Sequence, residues 1–182
     1  MKLVIAAVLV LSVGCGPTVG SSRRLKPEVM GAPGAWAGVR TVAVLPPDNW
    51  TLDAGLEYIT WYRAVVHELL REKGYAPTTL AEVNRFFRKN KFSVAGEAGS
   101  YSTPELAKAF GVDAILYWTI TDKAPRMLFS LEKADGTPLW CTGDVALRLS
   151  HVAPVSGRFA EDDKGIALEL GEILRQLPAR TP

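Results

Sequence analysis

Few side chains in this sequence have the types and the spacing that catalysis or metal binding requires. The position four residues after His67 is Arg71, so the His-Glu-x-x-His pattern of zinc peptidases is absent. His151 is the only other histidine, and no cluster of cysteines accompanies either of them. The Gly-x-Ser-x-Gly turn that presents a nucleophilic serine is also missing. We therefore predict a protein that is not an enzyme and that has no metal site and no cofactor.

A pair of aspartates is the remaining candidate for catalytic chemistry. Asp48 and Asp122 each follow a predicted strand, so their carboxylates could face one cleft and act together in a hydrolase. Aspartates are also common in turns, because the short carboxylate accepts hydrogen bonds from nearby backbone N–H groups. We favour the turn interpretation and keep the hydrolase as a third hypothesis.

Residues 46–50 are the main candidate for a binding surface. Ligands of open α/β sheets bind beyond the carboxyl ends of the parallel strands, and this segment follows a predicted strand. A phosphate cradle needs glycines and free N–H groups, whereas each proline removes one donor, so nucleotide binding is not predicted. We predict a surface for a protein partner, with two exposed tryptophans as anchors, although these rings could equally cover the sheet edge. The predicted surface consists of Pro46, Pro47, Asp48, Asn49, Trp50 and Trp61.

The amino-terminal residues place a cysteine directly after an apolar run. Lys2 precedes the apolar residues 3–13, which are too few for a membrane-spanning helix of about 20 residues. The run suits the apolar part of a secretory signal, which is about 7–15 residues long. Gly14 and Cys15 follow, and the segment resembles a bacterial lipobox, although Ser12 stands where that pattern prefers leucine. The resemblance implies that Cys15 is lipidated after cleavage; the alternative is an ordinary signal peptide with a chance cysteine.

The residues after Cys15 define the predicted domain organisation. Gly16 stands where an aspartate would signal retention in the inner membrane, so the resemblance implies the outer membrane, facing the periplasm. Glycine, proline and serine are frequent up to residue 39, which predicts a flexible tether. We predict a signal peptide over 1–14, the lipidated cysteine and tether over 15–39, an α/β domain over 40–178 and a tail over 179–182.

The charge of the chain does not indicate a nucleic-acid partner. The formal net charge is only +2, so no extended positive field is expected. One segment, "RFFRKNKF" at residues 85–92, interleaves basic and aromatic side chains. We interpret it as a solvated helix face above a buried phenylalanine stripe, and the alternative is a contact with a membrane or a partner.

Hydrophobic periodicity and turn residues predict the order β-α-β-α-α-β-β-β-α. Capping signals mark two helix starts, at Thr79 with Glu82 and at Ser102 or Thr103, and residues 92–102 are predicted as a loop. Asp135-Gly136 between two apolar segments predicts a hairpin. Right-handed crossovers then give a single-domain α/β fold with a mixed β-sheet. Its parallel β-α-β core has strand order 2-1-3, the antiparallel hairpin lies at one edge, and helices cover both faces.

Several short motifs occur in an order that resembles a known family. A lipobox and a Pro/Gly-rich tether are followed by "VAVLPPDN", a helix ending "EKGY", "ELAKAFGVDAILYWTIT" and "DGTPLW". Over about residues 41–148 the chain is similar to small bacterial outer-membrane lipoproteins typified by a neisserial surface-antigen candidate. The resemblance implies a fold like the N-terminal domain of TolB, related to the modules of LpoB and CsgG.

The same resemblance implies a function. Relatives are often encoded beside a CsgG-like lipoprotein, so we expect a lipid-anchored periplasmic accessory or scaffold that docks other envelope proteins during export or envelope assembly. The membrane through the lipid anchor and envelope proteins, a CsgG-like lipoprotein among them, are the expected partners, and homo-oligomerisation is left open. The family has a longer stretch where this chain has only "DKAPR", so a binding surface there would be missing. The alternative is a small-ligand-binding or sensor lipoprotein with a deep pocket containing Trp50 at the strand ends.

Overall fold

Short continuous apolar runs produce the central strands of a sheet, and apolar stripes produce the helices that cover it. The computed structural model describes residues 31–32, 34–48, 56–121, 126–142, 145–146, 168 and 170–180. The strands are β1 Thr41–Val44, β2 Ala76–Pro77, β3 Ala114–Thr121, β4 Arg126–Lys133, β5 Pro138–Cys141 and β6 Val145–Ala146. The helices are α1 Leu56–Glu72, α2 Leu80–Lys89, a 3-10 helix Ala95–Ser100 and α3 Thr103–Phe110. Residues 170–174 form a further C-terminal helical segment.

The sheet is mixed, as predicted. Its strand order is β2-β1-β3-β4-β5, with β6 paired to β4. β1 runs parallel to both β2 and β3, and Val42 pairs with Pro77 on one side and Ala114 on the other. β3, β4 and β5 are antiparallel neighbours, and the β4–β5 turn contains Gly136 at a φ of +86°. The predicted 2-1-3 order and the Asp-Gly hairpin are confirmed.

Helices cover both faces of the sheet because β1 alternates its side chains between two cores. Val42 and Val44 belong to a first core, whereas Ala43 and Leu45 belong to a second. The first core is completed by α1 and the C-terminal helical segment, through Tyr62, Val66, Leu70, Leu170 and Leu174. The second is completed by α2 and α3, through Val83, Phe87, Leu106 and Ala107. A mixed α/β fold with helices on both faces is therefore confirmed.

Local signals set the helix ends where the sequence predicts them. Thr79 and Glu82 form a capping box at the start of α2, and Ser102 with Glu105 forms one at the start of α3. Gly111 ends α3 in the left-handed conformation, with a φ of +65°. Among the described residues, no helix combines the length and the apolar character that crossing a bilayer requires.

The basic and aromatic segment of α2 divides between the surface and the second core. Phe87 is buried, while Arg85, Arg88 and Lys89 are exposed. The ring of Phe86 makes edge-on contacts with the rings of Phe87, Phe92, Tyr101 and Phe110. The basic side chains therefore lie on the exposed face of α2 above packed phenylalanine rings, as predicted, and a contact of that face with a membrane or a partner stays an alternative.

Two segments are more ordered than the sequence predicts. The predicted loop 92–102 contains the 3-10 helix, which was missed because "AGEAGS" has no apolar period; Ala95 and Ala98 are nevertheless buried in the second core. Trp36 and Val39, which the sequence prediction assigns to the tether, pack on the first core. Their apolar surface is buried by that packing, so the folded region begins before residue 40.

Candidate functional site

Hydrogen bonds from β3 hold the chain where it leaves β1. The backbone N–H of Asp48 donates to the carbonyl oxygen of Trp118 at 3.0 Å, and the Trp118 indole N–H donates to the carbonyl oxygen of Leu45. The Asp48 carboxylate accepts a hydrogen bond from the Thr119 hydroxyl at 2.9 Å. The loop at residues 45–48 is therefore joined to β3 by both backbone and side-chain bonds.

The 3-10 helix holds the same loop from the other side. The backbone N–H of Gly96 donates to the carbonyl oxygen of Asp48 at 2.7 Å. A Cβ atom at residue 96 would lie 2.7 Å from that oxygen, closer than any real contact, so only glycine allows this approach. Asp48 is consequently fixed between β3 and the 3-10 helix.

Some residues of the predicted partner surface are exposed and others are buried. Pro46 and Pro47 are buried, whereas Asp48 is exposed. Trp61 is half-buried, packs on the first core and meets the ring of Tyr62 edge-on, with the ring centroids 5.1 Å apart. The prolines therefore fix the backbone of the loop, and a partner can reach Asp48 and the exposed part of Trp61.

Several predicted positions lie outside the described residues. Asn49 and Trp50 continue the predicted surface, Cys15 is the predicted lipidation site, and Asp122 would be the second carboxylate of the hydrolase hypothesis. The roles assigned to these residues stay predictions, and so does the binding role of the surface as a whole.

A buried arginine that the sequence prediction missed lies beside this loop. Arg63 is 1% exposed; its Nη1 donates to the Asn84 side-chain oxygen at 2.6 Å and its Nη2 to the carbonyl oxygen of Val44 at 3.0 Å. Its Nε has no hydrogen-bond partner, and within the described part of the chain no carboxylate forms an ion pair with it. Burial lowers the pKa of Arg63 to about 10, so the guanidinium is charged at neutral pH. Arg63 thus joins α1 and α2 to the carboxyl end of β1.

His67 lies one helical turn after Arg63 and is also buried, at 3% exposed. Burial, with the positive charges of Arg63 and Arg71, lowers the pKa of His67 to about 4, so its imidazole is neutral at neutral pH. Its Nε2 has no partner. The two polar residues are four positions apart beside the apolar stripe of α1. This spacing in the sequence indicates that they share one face of the helix, and it could have identified them as a buried polar pair. Across the described residues, no three His, Cys, Asp or Glu side chains group together as metal ligands.

Cavities lie near the carboxyl end of α1, away from the Asp48 loop. One has a volume of about 490 Å³ and lies between the end of α1 and the C-terminal helical segment. The other, of about 380 Å³, is lined by residues 36–40, Tyr75 and residues 178–180. Neither is the deep pocket at the strand ends that the small-ligand alternative requires.

The sequence matches a family model, and the fold is similar to that of a solved structure with a TM-score above 0.5. The family model of the GNA1162-like lipoproteins matches residues 37–127, which is half of the chain. The crystal structure of lipoprotein GNA1162 from Neisseria meningitidis is 21% identical, with a TM-score of 0.53 over 76% of this chain and 97% of that one. A PelC dodecamer from Paraburkholderia phytofirmans is 16% identical, with a TM-score of 0.45 over 87% of this chain and 97% of that one.

LpoB from E. coli is also 16% identical, with a TM-score of 0.44 over 80% of this chain and 88% of that one. No curated protein matches the sequence. At these identities the similarity to GNA1162 shows the fold alone.

Proposed function

Because the chain belongs to the GNA1162-like family, and is therefore an envelope lipoprotein, we propose that it is a lipid-anchored docking module without catalytic activity. Cys15 carries the acyl chains and holds the domain on the outer membrane, facing the periplasm. The domain binds another envelope protein through the surface at the carboxyl ends of β1 and β3, as part of an export or envelope-assembly complex. A CsgG-like lipoprotein is the candidate partner, on the sequence resemblance alone.

The observation that carries this proposal is the fixed position of Asp48. Its N–H, its carbonyl oxygen and its carboxylate all have partners, on Trp118, Gly96 and Thr119. A loop that is ordered before the partner arrives loses little conformational entropy on binding. The half-buried ring of Trp61 then supplies an aromatic contact, a residue type that is enriched at protein interfaces. The exposed Asp48 carboxylate supplies a charge that a complementary partner can recognise.

The buried polar groups of α1 beside this loop have structural roles in the proposal. Arg63 and His67 are 1% and 3% exposed. Arg63 is held by Asn84 and by the carbonyl oxygen of Val44. We therefore assign Arg63 a structural role, in which it fixes the position of the loop relative to α2.

Affinity capture from solubilised envelopes of the native host tests the docking proposal. We expect Asp48→Lys and Trp50→Ala each to reduce the recovery of one specific envelope protein by about tenfold, because an anchor at an interface contributes 1–2 kcal/mol or more. Lys108→Glu is the matched control: it reverses an exposed charge on α3 and should recover the same protein as the wild type.

Two results would contradict the proposal. One is equal recovery of that protein with all three variants. The other is co-purification of a small molecule in place of any protein, which would favour the ligand-binding alternative.

A further inference from the structure

The chain enters the folded domain at the amino-terminal end of β1, opposite the Asp48 loop. We call this end of the sheet the entry edge. Gly31 lies against the backbone of β5 near Pro138, and the chain then turns through residues 34–38 to reach β1. Trp36 is half-buried against the first core, and Arg40 is exposed directly before β1. The predicted tether therefore ends at this edge, and the predicted partner surface lies at the far end of the same strands.

Two exposed arginines lie at this entry edge. Arg40 and Arg180 are exposed and line the 380 Å³ cavity, together with the ring of Trp36. The Arg180 guanidinium donates to the carbonyl oxygen of Gly74 at 3.4 Å. The carboxylate of Asp113 interacts with the charge of Arg40, and its Oδ2 accepts three hydrogen bonds, from the backbone N–H groups of residues 40 and 41 and from the Thr41 hydroxyl.

An apolar groove adjoins the basic cavity. Leu69, Leu174 and Gly171 line the 490 Å³ cavity, and Leu168 beside them is 66% exposed. Lys73 and Arg175 add two cations and Glu72 one carboxylate. The linings of the two cavities are joined at the end of α1, where the backbone N–H of Arg180 donates to the carbonyl oxygen of Lys73 at 2.8 Å.

We infer that the entry edge lies on the membrane and binds anionic phospholipid. The headgroup phosphate is held between the guanidinium groups of Arg40 and Arg180, and Leu168 and Trp36 contact the interfacial region of the bilayer. Guanidinium groups suit phosphate oxygens, and an apolar residue beside cations is typical of surfaces that lie in a membrane interface. A free anion would use the arginines but would leave the exposed leucine without a role.

The length of the chain that precedes the entry edge supports a membrane phospholipid as its ligand. The inference rests on the proposed anchor at Cys15, because residues 16–30 would then span roughly 20 Å as a coil. Such a tether holds the entry edge near the bilayer at a high effective concentration, so weak contacts suffice. The Asp48 loop at the opposite end of β1 then faces away from the membrane, where a partner can reach it.

Hydrogen exchange of the intact, processed lipoprotein in nanodiscs tests the inference. We expect the amides of residues 34–40 and 170–180 to exchange more slowly in discs containing phosphatidylglycerol than in discs of phosphatidylcholine alone. The double variant Arg40→Gln/Arg180→Gln should lose this protection by about 25-fold, because each cation near an anionic surface contributes about fivefold. Equal exchange of the wild type and this variant in phosphatidylcholine shows that the variant is folded.

The matched control is Arg85→Gln/Arg88→Gln, which removes two exposed cations from α2 and should keep the wild-type protection. Three results would overturn the inference. They are equal exchange in both disc types, loss of protection in the α2 variant, and equal protection of the detergent-solubilised protein by inorganic phosphate, which would indicate a small-anion site. If the hydrogen-exchange test fails while the affinity capture succeeds, only the membrane inference is rejected. If Cys15 is unmodified, the proposed anchor is rejected as well.

Discussion

Lowering the pH from 7 to 4 is expected to reduce the free energy of unfolding by about 2–3 kcal/mol through His67 alone. Burial and the charges of Arg63 and Arg71 lower the pKa of His67 in the folded protein to about 4, from an unfolded value of 6.5. Well above pH 6.5, His67 is neutral in both the folded and the unfolded state, so its protonation costs no stability there. The free energy of unfolding decreases as the pH falls from 6.5 toward 4, because only the unfolded state binds the proton in that interval.

Urea unfolding of the full chain in mild detergent, measured at pH 7 and at pH 4, checks this prediction. His67→Gln cannot titrate and should lose about 2–3 kcal/mol less over the interval than the wild type. Arg71→Gln retains the buried imidazole and should still show most of the loss, since burial is the first cause of the shift. An identical pH dependence for the wild type and His67→Gln would show that His67 is solvated or paired.

Replacing Gly96 by alanine is expected to displace the Asp48 loop. The new Cβ would meet the Asp48 carbonyl oxygen at 2.7 Å, and the hydrogen bond from residue 96 to that oxygen would be lost or lengthened. Overpacking of this kind costs about 1–3 kcal/mol. If the loop is the docking surface, Gly96→Ala should also reduce capture of the envelope partner, although residue 96 itself contacts no partner in this proposal.

Gly99 provides a matched control in the same 3-10 helix. A Cβ at residue 99 meets nothing within 4 Å, so Gly99→Ala should change stability by less than about 0.5 kcal/mol and leave capture unchanged. Thermal unfolding and capture of both variants separate the steric effect from a general effect of glycine replacement. Equal behaviour of the two variants would show that the close approach to Asp48 has no consequence.

The features that the sequence predicts correctly are those with local causes. The apolar run that becomes β3, the capping box at Thr79 and the Asp-Gly hairpin each depend on residues within a few positions of one another. Gly111 at the end of α3 is another example, because its left-handed backbone is a property of the residue itself. Such signals establish the element order, and right-handed crossovers then determine the order β2-β1-β3.

The features that the sequence does not reveal depend on contacts between distant positions. The bond from Gly96 to the carbonyl oxygen of Asp48 joins segments far apart in the chain, so the sequence does not show that the 3-10 helix holds this loop. The spacing of Arg63 and His67 indicates a buried polar pair, but it does not identify the partners of Arg63, which are Asn84 of α2 and the end of β1. The burial of Pro46 has the same origin, since only tertiary packing decides whether a strand-end proline is covered.

The docking proposal and the membrane contact of the entry edge both depend on attachment through Cys15, which mass spectrometry of the protein purified from its native host can test. We expect a mature chain that begins at Cys15, with a diacylglycerol on the sulfur and a further acyl group on the new amine. An unmodified thiol at Cys15, or a chain that still carries residues 1–14, would contradict it.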